Sequence, residues 1–250
     1  DLITGKLAHR TDVDFQNGSG TIILAGSNSF TGFIRIGPAN CTIQLSGAGT
    51  LGWPSSENCP PRQVLLNNGV LDLNGTSQKT GFFFSGANSR VTNSAIGTLS
   101  TITLCYNCTN LTAPANSGII SSLIDDPAAS GLIGITKEGT ALQNLNGAAN
   151  NYHGDTVVNN GTLRIDQPGA ISPNSAYRLS TSQGTLVLNY AGDALVRALY
   201  INGVKMPPNT YDATTAPITG TGTITVPPPN TRNNAAANSR WALTSANWPP

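Results

Sequence analysis

The sequence predicts an all-β protein built as a solenoid of short strands, and three observations support this class. Apolar residues alternate with polar ones over four to six positions, the period of a strand with one inward face. Gly, Asn or Pro follows these runs, and helical periodicity is nearly absent. One pattern of strands and turns also recurs along the chain, as the neighbouring coils of a solenoid require.

The clearest predicted strands combine β-branched residues with period-two alternation. In chain order they are Thr21–Leu24, Phe33–Ile36, Thr42–Leu45, Val70–Leu73, Thr101–Leu104, Thr156–Val158, Thr162–Ile165, Thr185–Leu188 and Thr223–Val226.

Residues 20–45 and 139–165 carry the recurring pattern. Each copy runs strand, Gly/Asn turn, aromatic residue, glycine, strand, turn, strand. Such a unit is too small to bury its own apolar face, so successive coils are expected to stack around one continuous core. A β-sandwich also has short strands and frequent turns, but it does not need an internal repeat.

The same segments carry a family resemblance. Residues 18–32 (GSGTIILAGSNSFTG) and 135–163 (ITKEGTALQNLNGAANNYHGDTVVNNGTL) resemble the autotransporter-associated β-strand repeat of bacterial passenger domains. Residues 64–78 are similar to the inter-repeat coils of those proteins, and residues 198–226 contain segments similar to their closing module. The resemblance implies a right-handed parallel β-helix at a cell surface or in the extracellular space.

We therefore predict three regions: an N-terminal leader or cap segment (1–17), a β-solenoid repeat domain (18–226) and an extended, Pro/Asn-rich C-terminal tail (227–250). No translocator barrel follows the last repeat strand, which favours a passenger that has been cut free or is secreted by another route. The chain starts at Asp1 without an apolar leader, which fits a secreted protein whose signal peptide is already removed. A shortened chain would look the same.

The composition excludes several partner classes. Charged residues make up 10% of the 250 residues and the net charge is +1, so no basic footprint for nucleic acid or a membrane surface is visible. The longest apolar runs are interrupted by serines well short of a membrane span.

The chain has four cysteines, and an even number in an extracellular-type sequence favours two disulfides among Cys41, Cys59, Cys105 and Cys108. A Cys41–Cys59 bridge would close a short Pro-rich loop and contribute about 3 kcal/mol. Cys105-Tyr-Asn-Cys108 could instead be a redox motif or half of a zinc site. A redox motif would need a βαβ unit and zinc a second close pair of cysteines, and neither is visible.

The candidates for catalysis are few. Enzymes on β-helices cleave polysaccharides with carboxylates from adjacent coils, so Asp12 with Asp14, and Asp125 with Asp126, are the pairs to weigh. The composition of Asp125-Asp126-Pro127 is typical of a turn.

A Ser/His/Asp site would have to use His9 or His153, and no nucleophile elbow is present. The second repeat aligns His153 with Thr31 of the first, which predicts a solvent-facing turn residue, with Asp155 satisfying backbone donors. We predict no enzyme activity, cofactor or metal.

The two open ends of a solenoid must be capped or used for association. The tail holds Trp241, Leu243 and Trp248, which we expect to form an assembly interface with a neighbouring subunit. Folding back onto its own coil is the alternative. The function predicted is an extracellular structural subunit that assembles head-to-tail with itself into a surface fibre or filament. The rivals are a monomeric adhesin or glycan-binding passenger, with surface glycans as partners, and a polysaccharide-active enzyme.

Overall fold

A computed structural model of the chain describes residues 2–3, 12–15, 19–28, 32–37, 41–51, 63–105, 118–126 and 131–229. The first thirteen strands are β1 (Leu2–Ile3), β2 (Val13–Phe15), β3 (Gly20–Leu24), β4 (Ile34–Ile36), β5 (Cys41–Leu45), β6 (Gln63–Leu66), β7 (Val70–Asp72), β8 (Gln78–Thr80), β9 (Phe82–Ser85), β10 (Arg90–Thr92), β11 (Leu99–Cys105), β12 (Gly118–Ile120) and β13 (Leu123–Ile124). The others are β14 (Leu132–Glu138), β15 (Leu142–Leu145), β16 (Thr156–Val158), β17 (Gly161–Ile165), β18 (Ala176–Leu179), β19 (Gly184–Leu188), β20 (Asp193–Leu195), β21 (Ala198–Ile201), β22 (Val204–Lys205), β23 (Asn209–Tyr211), β24 (Ile218–Gly220) and β25 (Thr223–Val226). A single turn of 3₁₀ helix covers Pro168–Ala170.

The strands form three long sheets that run along the solenoid. Sheet 1 has the order β1-β3-β5-β7-β10-β13, sheet 2 the order β2-β4-β6-β9-β12-β15-β17-β19-β24, and sheet 3 the order β8-β11-β14-β16-β18-β21-β22. A small sheet, β20-β25-β23, lies near the C-terminal end of the described residues. Every strand pair is parallel except β21 with β22 and β23 with β25. The predicted all-β parallel β-helix is confirmed, and a β-sandwich of antiparallel sheets is excluded.

The core is a vertical stack of side chains from successive coils. In sheet 2 one register position is occupied, coil after coil, by Ile36, Leu66, Ser85, Ile120, Leu145, Ile165 and Leu188. All seven side chains are buried, and only Ser85 is polar. The hydroxyl of Ser85 lies 2.8 Å from that of Ser122. The inward face predicted from period-two alternation therefore packs against the coils above and below it.

All nine predicted strands are present, with end residues shifted by at most a few positions. The shortest strands, such as the two-residue β13 and β22, have no counterpart among the predictions. β9 was also missed because its sequence, FFFS, does not alternate between apolar and polar residues. Three consecutive phenylalanines carry no period from which an inward face can be read.

Each copy of the repeat makes one turn of the solenoid. In the first copy β3 pairs directly with β5, and in the second β15 pairs with β17, while the strand between them belongs to another sheet. The first copy passes from sheet 1 to sheet 2 and back, whereas the second passes from sheet 2 to sheet 3 and back. The two copies of the sequence pattern therefore lie on different pairs of sheets: the first on sheets 1 and 2, the second on sheets 2 and 3.

The two copies share an asparagine that connects adjacent coils. Asn28 donates from Nδ2 to the carbonyl of Thr50 at 2.8 Å, and Asn150 donates to the carbonyl of Ala170 at 2.9 Å. Both asparagines are almost completely buried. Buried polar groups of this kind require a partner, and here the partner is the backbone of the next coil.

The cysteines do not form the predicted set of bridges. Cys41 carries a free thiol, so the Cys41–Cys59 bridge is not present in the structure. The physical reason is that Cys41 begins β5 on an inward-facing position, where Sγ lies 4.0 Å from the carbonyl oxygen of Phe15 and burial raises the pKa of the thiol. Cys105 is disulfide-bonded. Cys59 and Cys108 lie outside the described residues.

Candidate functional site

The carboxylates weighed for catalysis at the N-terminal end are paired with one arginine. Arg35 Nη2 lies 2.9 Å from Asp12 Oδ2, and Arg35 Nη1 lies 3.1 Å from Asp14 Oδ1. Asp14 and Arg35 are direct partners in the pairing of β2 with β4. The hydrogen bonds that Arg35 donates, above all the one to Asp14, raise the pKa of Arg35. The pair thus connects two coils through Arg35.

The second carboxylate pair is divided between two different roles. Asp125 Oδ2 accepts a hydrogen bond from Arg90 Nη2 at 3.0 Å. The side chain of Asp126 is fully buried, and its Oδ2 accepts hydrogen bonds from the backbone N–H groups of Ile133 and His153, both at 2.8 Å. Asp126 therefore connects two segments of backbone through hydrogen bonds. The turn composition of Asp125-Asp126-Pro127 did not predict this role.

His153 lies on a turn, as predicted, but it does not simply face solvent. Its Nδ1 lies 2.5 Å from Asp126 Oδ1, while 43% of the side chain is exposed. On either side of it Tyr152 is fully buried, and Gly154 packs so tightly that a Cβ would lie 2.3 Å from the carbonyl oxygen of Ile133. The turn thus needs an inward aromatic and a glycine, and His153 is held by a buried carboxylate between them.

Asp155 was expected to satisfy backbone donors, and that expectation is wrong. Its carboxylate lies between two arginines: Arg178 Nε is 2.6 Å from Oδ2, and Arg197 Nη2 is 2.6 Å from Oδ1. The hydrogen bond that Arg178 donates to Asp155 is the largest influence that raises the pKa of Arg178. The guanidinium of Arg178 also lies over the ring of Tyr200, 4.1 Å from its centroid, which is the geometry of a cation–π contact.

These residues form one wall of a concave site, the basic groove, near the C-terminal end of the described solenoid. The groove encloses about 600 Å³. Its polar lining consists of Asp155, Arg178, Arg197, Tyr200 and Lys205, and its apolar lining of Ala176, Ala198, Met206, Pro208, Val226, Pro227 and Pro229. A second hollow of about 250 Å³ shares Arg178 and Tyr200 with it.

The local structure explains why the surface is concave at this point. Ala176 and Ala198 are register partners at the start of β18 and β21. Their short methyl side chains form the bottom of the depression. On one side the chain continues into the longer Arg178 and Tyr200, which are also register partners. On the other side, a wall is formed by Met206, Val226 and the three prolines Pro208, Pro227 and Pro229. Proline backbones lose little conformational freedom on binding.

The groove has a local excess of positive charge. Arg178 and Arg197 both pair with Asp155, the single carboxylate of the groove, and Lys205 adds a third cation. The other arginines of the described residues, and Lys79, each have at least one carboxylate of their own. Lys137 is buried and donates instead to the carbonyls of Glu138, Gly139 and Asn160. On a chain with a net charge of +1, the groove is therefore where cations outnumber their partners in the described structure.

Sequence reasoning missed this groove because its basic residues are scattered singly along the chain. A usable signal was present in the spacing, since Asp155 and Arg178 are 23 residues apart and repeated coils place such residues side by side. The coil period was recognised for apolar positions but was not applied to the outward polar ones.

The remaining predicted site residues lie outside the described structure. Trp241, Leu243 and Trp248 of the predicted assembly interface are in the segment 230–250, and His9 lies in the segment 4–11. Among the described residues, no three His, Cys, Asp or Glu side chains come close enough to hold a metal ion. In the same portion of the chain, no helix is long and apolar enough to span a bilayer.

Comparison with protein families identifies two segments. Residues 16–37 and 135–165 match the family model described as Passenger-associated-transport-repeat. The second match covers the whole second copy and the first match covers β3 and β4 of the first copy, in agreement with the autotransporter passenger resemblance of the sequence. Searches against curated proteins and against solved structures gave no match.

Proposed function

We propose that this chain, which carries two passenger-type transport repeats, is a non-enzymatic extracellular structural protein whose solenoids assemble end to end, with the C-terminal tail of one subunit docked on the next. The observation that carries the proposal is the state of the N-terminal end. There β2 is the edge strand of sheet 2, paired on one side with β4 in the described structure. An exposed strand edge is a template for an added strand.

The local charge at β2 and the charge of the tail are complementary. At β2 the carboxylates of Asp12 and Asp14 share Arg35, which leaves an excess of negative charge. The tail, residues 230–250, contains Arg232 and Arg240 and no acidic residue. A basic segment that carries two tryptophans suits an acidic strand edge, because charge guides its approach and burial of the indole rings adds binding free energy.

The C-terminal end favours the tail over direct coil-on-coil stacking. The antiparallel strand β22 covers the edge of β21, and the antiparallel strand β23 covers that of β25. A parallel coil from another subunit cannot continue these two sheets without displacing them. An extended tail avoids this obstacle, since it needs only the edge of the neighbouring subunit.

The contacts of the candidate carboxylates support a non-enzymatic role. Asp12, Asp14 and Asp125 are hydrogen-bonded to arginines, and Asp126 is buried against backbone donors and His153. Glycoside hydrolysis needs two carboxyl groups that both face the substrate across a groove. Here each candidate carboxyl group is already engaged by an arginine, or by backbone N–H groups and His153.

Light scattering over a range of concentrations tests the assembly. We expect the mass of the full chain to rise with concentration, and the chain that ends at residue 229 to remain a monomer. We expect Asp12→Asn/Asp14→Asn to weaken assembly about tenfold or more and to reduce its sensitivity to salt. Asp166→Asn/Asp212→Asn, which removes the same charge elsewhere, is the control and is expected to assemble normally.

Filaments of the truncated chain in electron micrographs would refute the proposal. A full chain that stays monomeric at every concentration would instead favour the monomeric adhesin.

A further inference from the structure

We propose that the basic groove is a binding site for an acidic polysaccharide, in which carboxylates of the sugar chain pair with Arg178, Arg197 and Lys205 while the sugar rings pack against Tyr200 and the proline wall. This site is independent of the assembly proposed above. The charge at the groove gives the first argument, because three cations and one carboxylate leave an unneutralised excess that attracts an anion.

The arginines are held in place before any ligand arrives. Asp155 fixes Arg178 through Nε and Arg197 through one terminal nitrogen, so further N–H groups of both guanidinium groups remain for a ligand. Stacking on Tyr200 restricts Arg178 further. Side chains ordered in this way lose less entropy on binding, and arginine is the residue that best matches a carboxylate in two hydrogen bonds.

Lys205 supplies a third, more adaptable cation. It lies on the exposed two-residue strand β22, opposite Tyr200 in the antiparallel pairing. In the described residues it has no ion-pair partner. A lysine without a carboxylate beside a fixed arginine pair extends the positive surface along the groove.

The shape favours an extended ligand with flat faces. The Arg178–Tyr200 stack forms a ridge between the two hollows, so a chain of several units can lie across both. The floor consists of outward side chains of the paired strands β18 and β21, so a ligand on the floor meets side chains and not a strand edge. A peptide that binds by strand addition would need such an edge, whereas sugar rings can pack their apolar faces on tyrosine and proline.

The C-terminal tail does not suit the groove. It continues from Pro229, at the rim, but residues 230–250 contain two arginines and no carboxylate side chain. Placing them against Arg178, Arg197 and Lys205 would bring like charges together, which is unfavourable.

Isothermal titration calorimetry with the full chain tests the site, with polygalacturonate as the acidic probe and dextran as the neutral one. We expect polygalacturonate to bind, binding to weaken as salt is raised, and dextran not to bind. Arg197→Gln/Lys205→Gln is expected to weaken binding at least tenfold. Lys79→Gln/Arg90→Gln removes the same charge from other outward positions and should leave the affinity within about twofold.

Arg197 pairs with Asp155, so the double variant could weaken binding by destabilising the fold. The single variant Lys205→Gln separates that effect from a loss of ligand contacts. It changes only an exposed side chain and is expected to weaken binding about threefold or more, with an unchanged unfolding midpoint. Equal affinities for the groove and control double variants would overturn the proposal. So would tighter binding of polyglutamate, which would indicate an acidic peptide ligand, or displacement of polygalacturonate by a synthetic peptide of residues 230–250, which would identify the tail as the occupant.

Discussion

Lys137 is a fully buried lysine near the end of β14, and its ammonium group is held by backbone oxygens. Nζ donates to the carbonyls of Glu138 at 2.6 Å, Gly139 at 2.7 Å and Asn160 at 3.2 Å. Asn160 belongs to the next coil, so the lysine connects β14 to the turn between β16 and β17. Burial nevertheless penalises the charged form and lowers the pKa of Lys137 to about 8, with the charge of Glu138 acting in the opposite direction.

This burial predicts a stability that rises in mildly alkaline solution. Between the folded-state pKa of about 8 and the ordinary lysine pKa of 10.5, the unfolded chain binds the proton and the folded chain does not. Raising the pH through that window therefore favours folding, by up to about 2 kcal/mol between pH 8 and pH 10. Urea unfolding at several pH values measures the effect.

Comparison with Lys137→Met isolates the contribution of the lysine. Burial raises the pKa of Cys41, Tyr152 and Tyr177, so the unfolded chain ionises these groups first. Stability therefore falls in both proteins above about pH 9 through the thiol and above about pH 10 through the tyrosines. The difference between the two proteins should still grow from pH 8 to pH 10. A difference that stays constant across this range would contradict the prediction.

The turn after the third strand of each repeat shows how an element controls coil stacking. Gly49 follows β5 and Gly169 follows β17, each four residues beyond the end of its strand. A Cβ at Gly49 would lie 1.9 Å from the carbonyl oxygen of Leu24, and one at Gly169 would lie 1.9 Å from that of Ala148. Both turns thus pass directly over backbone of the preceding coil, where a side chain does not fit.

We expect Gly49→Ala and Gly169→Ala each to lower the free energy of unfolding by about 1 to 3 kcal/mol, because the coil must move away to admit the methyl group. Chemical denaturation measures the change. Gly86→Ala is the control, since the nearest heavy atom would be an ordinary 3.9 Å from its Cβ. If all three substitutions cost the same, the close approach is not the cause.

At the scale of the whole molecule, the parallel stack predicts that stability couples neighbouring coils and not distant ones. Leu145 and Ile165 are register partners in adjacent coils, whereas Leu66 lies several strands away in the same sheet. We expect Leu145→Ala with Ile165→Val to be non-additive by about 0.5 kcal/mol or more, because both change one packed contact. Urea unfolding of the single and double variants gives this coupling energy.

Leu66→Ala with Ile165→Val is the matched distant pair. Its effects should add to within about 0.5 kcal/mol. Similar coupling energies for both pairs would contradict the prediction that only adjacent coils are coupled.

The sequence by itself determined the nine clearest strands, their inward faces and the coiled repeat. Alternation in segments such as Thr162–Ile165 and the Gly/Asn turns after them are local properties, and a repeat of units too small to fold alone requires stacking. The aromatic and glycine on either side of His153 were also recognised correctly, because both repeat in the other copy.

Only the tertiary structure decided which outward side chains meet. His153 joins Asp126 across 27 residues, and Asp155 joins Arg197 across 42. The physical reason is that coil lengths vary, so the same repeat lies on different sheets in its two copies and sequence distance does not fix lateral register. The carboxylate pairs, Cys41 and the basic groove all depend on that register.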